Sequence, residues 1–213
     1  MPLPASVAAA VASHRAAAQV GQLRPGWMTE HFSPAAAWSA RASQRQPVRA
    51  CVAMGANLGD AVGTLASACA WLSELPATTV HAVSGLYRTA PWQTQGPDFF
   101  NAVAAVDTRL TAPDLLHALL ALELRAGRER PYRYAPRTLD LDLLLFGSAC
   151  VDSVVLTVPH PRMWQRAFVV VPLSEVAPAC VSTQALRAVQ GQVIERLPGG
   201  WPVEGVTWGP QAG

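Results

Sequence analysis

Asp140 and Asp142, set in the apolar run Arg137-Thr138-Leu139-Asp140-Leu141-Asp142-Leu143-Leu144-Leu145-Phe146, are the side chains of this sequence best placed to do chemistry. Strand side chains alternate, so the two carboxylates fall on one face, about 6–7 Å apart, and Leu139, Leu141 and Leu143 on the other. Two like charges in a half-buried strand are costly unless cations neutralise them. Magnesium suits the task, because it takes one or two carboxylates and completes its octahedron with water and phosphate oxygens. The alternative is a surface strand whose acids pair with arginines. Arg125, Arg128, Arg130, Arg133 and Arg137 lie just upstream, with Glu129 the only acid among them. Guanidinium groups fork onto phosphate oxygens, and beside metal-binding acids they could neutralise a polyphosphate and its transition-state charge. The same loop also fits a solvated basic surface for RNA, with Tyr132 and Tyr134 stacking on bases. A third fit is a nucleotidyltransferase that releases pyrophosphate. Gly55-Ala56-Asn57-Leu58-Gly59-Asp60 lacks the Gly-Lys-Ser/Thr ending of a phosphate-binding loop and reads as a tight strand-to-helix turn.

The elements that must position these residues can be traced from hydrophobic spacing. Ala50 to Met54 is a strand candidate, broken from Gly55 onward. Asp60 can cap a helix running to about Leu75, with Leu65, Ala68, Cys69 and Leu72 at helical spacing, stopped by Pro76. Thr78 to Arg88 reads as one strand with Val80, Ala82, Ser84 and Leu86 on a shared face, and Phe99 to Asp107 as another. Thr111-Ala112-Pro113-Asp114 opens a second helix, with proline in its first turn. Thr138 to Phe146 is the strand of the aspartates. Val151–Val158 and Phe168–Leu173 read as a later strand pair, and Gln184 to Glu195 as a last helix. The order β-α-β-β-α-β defines an α+β fold of ferredoxin-like type, an antiparallel sheet covered on one face by two helices, with C-terminal additions.

Composition narrows the field. The chain has 213 residues, 51% hydrophobic and 14% charged, which excludes a disordered protein and allows a sizeable core. No apolar run approaches the length of a membrane span. All 16 basic residues are arginine. Residues 1–49 hold five of them against Glu30 alone, whereas residues 50–213 hold eleven against thirteen acids. The net acidity of the larger part argues against a nucleic-acid partner. Cys51, Cys69, Cys150 and Cys180 show no CxxC pair, and read as reduced, mostly buried residues of a cytoplasmic protein. Residues 1–48 have no steady period and read as a disordered extension or a start assigned too early; 49–197 is the expected functional domain and 198–213 an irregular tail.

Six stretches, taken in order, resemble one family. They are Val52-Ala53-Met54-Gly55-Ala56-Asn57-Leu58-Gly59-Asp60; Tyr87-Arg88-Thr89-Ala90-Pro91; Phe99-Phe100-Asn101-Ala102-Val103; Glu123-Leu124 through Gly127-Arg128-Glu129-Arg130; Ala135-Pro136-Arg137-Thr138-Leu139-Asp140-Leu141-Asp142; and Leu156-Thr157-Val158-Pro159-His160-Pro161 continuing to Arg166-Ala167-Phe168-Val169. Together they resemble the 6-hydroxymethyl-7,8-dihydropterin pyrophosphokinases over roughly residues 49–180. The resemblance implies transfer of the β,γ-diphosphoryl group of ATP to the dihydropterin hydroxymethyl oxygen, with release of AMP. At 213 residues the chain is too short for these stretches plus a second folate-pathway barrel, so it reads as monofunctional, and a monomer is expected. The resemblance also implies that Asp140 and Asp142 hold two magnesium ions, that Arg128 and Arg137 meet the transferring phosphates, and that Asp142 helps deprotonate or orient the hydroxyl. Glu123, Arg130, Tyr134, Thr157, His160 and Arg166 would line the ATP side. Thr89, Ala90, Trp92, Phe99, Asn101 and Phe168 would line the pterin side. The loops 89–97 and 128–136 would close over the site as lids. The chain departs from the family pattern at Ala56 (usually Ser), at Ala135 (often Gly) and in Trp92-Gln93-Thr94-Gln95, where a glycine is usual.

Overall fold

A computed structural model of the chain describes residues 42, 44–91, 96–127 and 138–198. Five of its strands build one antiparallel sheet with a short sixth at the edge. β1 (Val48–Ala56) lies between β5 (Asp140–Phe146) and β4 (Phe99–Thr108). Beyond β4 come β2 (Thr78–Val83) and β3 (Tyr87–Thr89), both paired to β4, and β8 (Glu195–Arg196) pairs with β3. β6 (Val151–Asp152) and β7 (Thr157–Val158) form a separate small hairpin. The connectivity is the ferredoxin-like one expected.

The helices start where local chemistry can satisfy their free N–H groups. α1 (Ala61–Glu74) is capped by Asp60, whose carboxylate accepts from the Gly63 N–H at 2.9 Å. α2 (Ala112–Arg125) is capped by the Thr111 hydroxyl, which accepts from Asp114 N–H at 3.2 Å. Two residues past the end of α2, Gly127 has a φ of 77°, which suits the left-handed residue that closes a helix. Both helices lie on one face, where Leu65, Leu72, Leu115 and Leu119 meet Ala50, Val52 and Met54 of β1 in the main core.

Several expectations are corrected. Phe168–Leu173 is not a strand: it lies within α3 (Ala167–Val176), which runs through Pro172. A short apolar run carries no period that separates a buried strand from a buried helix. Here Val169 and Leu173 pack on Cys51, Val103, Ala105 and Leu144, on the second face of the sheet. The sheet is therefore covered on both faces, not one. The strand expected over Thr78–Arg88 is two strands, with a register shift between Val80 and Ala82 and a break at Ser84–Leu86. The Ser84 hydroxyl stands in for backbone there, accepting the Val103 N–H at 3.0 Å. The shift places Val80, Val83 and Leu86 with the main core and Ala82 on the opposite face, so the expected shared face does not form. The last helix, α4 (Thr183–Val189), is shorter than expected. Cys51 and Cys69 are buried as expected, but Cys150 and Cys180 are exposed; all four are free thiols.

Candidate functional site

β1 continues through Gly55 and Ala56 instead of turning at Gly55, and this extension builds the site. Gly55 pairs with Asn101 of β4 on one side and Asp140 of β5 on the other. The three form one row across the sheet on the α3 face, with Asp140 and Asn101 two strands, about 10 Å, apart. One pair further along, Ala53 stands between Val103 and Asp142. A Cβ at Gly55 would lie 3.3 Å from Asn101 Oδ1, so the amide leans across the glycine.

The alternation expected of the aspartate strand holds. Leu139, Leu141 and Leu143 enter the main core, while Asp140 and Asp142 are half-buried on the other face. A register shift between Cys51 and Val52 leaves Leu144 as an extra residue of β5. Leu144 stays on the α3 face with the aspartates, and the shift turns Leu145 to that face as well and Phe146 into the main core. The outer edge of β5 is occupied twice. The Leu144 carbonyl accepts the His160 N–H at 2.9 Å. Between the two aspartates, the Leu141 N–H donates to Glu123 Oε1 at 2.8 Å. Glu123 is 1% exposed, on α2. Glu123 thus holds the aspartate strand from behind; the resemblance places it among the ATP-side residues.

His160 follows the cis Val158–Pro159 bond. Its Nδ1 accepts the Arg162 N–H at 3.3 Å, so the neutral ring carries its proton on Nε2. Burial pushes the imidazole below its ordinary value, Asp142 pulls it back up, and Arg166 and Arg162 press it down further. His160 therefore lies within the electrostatic field of both Asp142 and Arg166. The Arg166 guanidinium in turn lies 5.5 Å from the Phe168 ring centroid. Thr157 pairs with Asp152 in the small hairpin.

Asn101 is 6% exposed, and its Nδ2 donates to Thr89 Oγ1 at 3.1 Å. Thr89 pairs with Phe99 in the register of β3 and β4. Thr89, Phe99 and Asn101 are thus brought together, on the face that carries Asp140. Ala90 follows directly. Trp92, Arg128, Arg130, Tyr134 and Arg137 lie outside the described residues, as do all of the 128–136 loop and residues 92–95 of the 89–97 loop, the two expected to act as lids. Sequence reasoning missed Gly55 as the spacer between Asp140 and Asn101. Its signal was present, since a glycine in a strand marks a close approach.

The comparisons agree with this fold. The family model for 7,8-dihydro-6-hydroxymethylpterin-pyrophosphokinase (HPPK) matches residues 51–178. The chain is 43% identical, over 74% of its length and 94% of the relative's, to the 2-amino-4-hydroxy-6-hydroxymethyldihydropteridine pyrophosphokinase of Pseudomonas aeruginosa. It is 42% identical, over 70% of its length and 98% of the relative's, to the enzyme of the same name from Methylorubrum extorquens. A crystal structure of a Plasmodium falciparum HPPK-DHPS triple mutant shares the fold, with a TM-score of 0.54 at 12% identity, over 71% of this chain and 46% of that one. The chain belongs to the 7,8-dihydro-6-hydroxymethylpterin-pyrophosphokinase family.

Proposed function

We infer that this chain transfers the β,γ-diphosphoryl group of ATP to the hydroxymethyl oxygen of 6-hydroxymethyl-7,8-dihydropterin. Family membership supports the reaction. The observation that carries it into this structure is the row Asp140–Gly55–Asn101, which sets an acidic centre and an amide one glycine apart on a single face.

The donor set fits magnesium. Asp140 and Asp142 offer hard oxygen ligands side by side. Among the described residues no three His, Cys, Asp or Glu side chains converge as a closed metal cage would require. Two ions held there would stabilise the phosphate charge and align an in-line displacement. Asp142 orients the pterin hydroxyl and takes its proton as the oxygen–β-phosphorus bond forms. The bond from the β-phosphorus to the α,β-bridging oxygen breaks, and AMP leaves with that oxygen. Arg128 and Arg137 offset charge on the transferring phosphates, and as permanent cations neither acts as a base. Neutral His160 offers an Nε2–H donor to the ATP side, where Arg166, Thr157, Arg130 and Tyr134 also belong. Glu123 serves the same side by fixing β5. On the pterin side Phe99 and Phe168 cover the ring faces. Asn101, held by Thr89, meets the ring edge, beside Ala90 and Trp92. The catalytic unit is read as residues 49–197, a cytoplasmic monomer; no helix among the described residues is long and apolar enough to cross a membrane.

The test is AMP release from ATP and magnesium with and without the dihydropterin, followed by product mass. Pterin-dependent AMP and a diphosphorylated pterin are expected. Pterin-independent release of pyrophosphate would favour a nucleotidyltransferase instead.

A further inference from the structure

Glu175 gathers three donors from three parts of the sheet. The Gly85 N–H, in the break between β2 and β3, donates to Oε2 at 2.6 Å. The Tyr87 hydroxyl of β3 donates to Oε1, and Arg196 Nε of β8 reaches the same oxygen at 3.2 Å. Tyr87 is 5% exposed, and burial together with the adjacent carboxylate pushes its phenol well above the ordinary range. A Cβ at Gly85 would stand 2.7 Å from Arg196 Nε, so the guanidinium lies across the break at a close approach that glycine permits.

This cluster sits next to the proposed pterin residues on both of its sides. Tyr87 pairs with Asn101 in the register of β3 and β4, and two residues later β3 ends in Thr89, which accepts from Asn101. On α3, Glu175 and Phe168 are seven residues apart, the spacing that places two side chains on one stripe of a helix, about 10 Å apart along its axis. α3 otherwise grips the sheet through Val169 and Leu173. Apolar contact is non-directional and fixes neither the slide nor the tilt of a helix. A carboxylate taking hydrogen bonds from several strands is directional, and its charge-assisted bonds are the stronger kind.

We propose that Glu175 is a positioning residue for the pterin half of the site, holding α3 against β3 so that Phe168 stands at ring-binding distance from the Asn101–Thr89 pair. The proposal rests on the reading of Phe168 and Asn101 as pterin contacts. The bonds of Glu175 run to the β2–β3 break, β3 and β8, and not to β5 or the β6–β7 hairpin, so its loss shifts α3 against the strand that carries Thr89 and is expected to fall on the pterin.

The experiment measures KM for each substrate, kcat and Tm for the full chain with Glu175→Ala, Glu175→Gln and Asn101→Ala. Glu175→Ala is expected to raise the pterin KM about tenfold, the scale of a sub-ångström misplacement, and to leave the ATP KM within about twofold. Glu175→Gln keeps one acceptor oxygen, enough for Tyr87 and Arg196 but not for the Gly85 N–H, and is expected to bring the pterin KM back to within about threefold of the parent. A pterin KM unchanged in Glu175→Ala, or both KM values raised equally, overturns the proposal even if Tm falls. If Glu175→Ala does not fold, Tyr87→Phe carries the test: a raised pterin KM alone supports the proposal and an unchanged one overturns it. An unchanged pterin KM in Asn101→Ala would remove the reading of the pterin half and this proposal with it. A loss in Asn101→Ala with none in Glu175→Ala removes the proposal alone.

Discussion

The two faces of the sheet are made by alternate residues of the same strands and have different fates. Towards α1 and α2, β1 presents Ala50, Val52, Met54 and Ala56, each at most 1% exposed, against helices that present leucine, alanine and Cys69. Towards α3 it presents Cys51, Ala53 and Gly55. Only the residues beneath α3 join that side's apolar cluster; Gly55, Asn101, Asp140 and Asp142 stand outside it. The period of two lets one strand serve a closed core and a reactive surface, because substitution on one face leaves the other face in register. The first face supplies stability, and the second holds polar groups that a closed core would not tolerate.

That contrast can be broken from either side. The largest effect is expected at the acids. Asp140→Ala or Asp142→Ala should lower kcat about 1,000-fold, about 4 kcal/mol of barrier, with Tm close to the parent. A Tm collapse matching the loss of activity would mean that the carboxylates are structural. Leu115→Ala on the other face should do the reverse. Leu115 is fully buried, so a loss of about 3 kcal/mol is expected from transfer and cavity terms. Denaturant melts would show it, while kcat per folded molecule stays near the parent value; a changed kcat would mean that the faces are coupled.

The smallest effect lies at the far end of β1 and β4. Arg49 Nε donates to Asp107 at 2.6 Å, and this bond holds the carboxyl below its ordinary value of 3.8. His81 Nδ1 stands 3.8 Å from the same carboxylate. A carboxyl lowered by folding stabilises the protein above its unfolded value, and that contribution is lost as pH falls through the folded one. Asp107→Asn should therefore cost no more than about 1 kcal/mol at pH 7, since the pair is solvated, and the two stability curves should converge in acid below 3.8. A gap that persists in acid would assign the loss to packing.

Most of the positioning was legible before the fold was known. The Asp140–Asp142 alternation, the Asp60 and Thr111 caps and the β-α-β-β-α-β order rest on local stereochemistry that a short window of residues contains. The apolar run of α3 was illegible because its partner face decides helix or strand, and neither Val169 nor Leu173 carries that information. The Ser84 break was likewise hidden, since a serine substitutes for backbone only when Val103 arrives opposite.

The sequence alone determined which residues carry charge and that Asp140 and Asp142 share one face of their strand, because side chains alternate along an unbroken strand. It also carried the family, in six ordered stretches. Only the tertiary structure decided that Gly55 separates Asp140 from Asn101, that Glu123 holds the edge of β5 from behind, and that Glu175 joins α3 to β3 and β8. Those relations are pairings between segments far apart in the chain. They exist once burial of the apolar faces has fixed the register, and no local pattern encodes them.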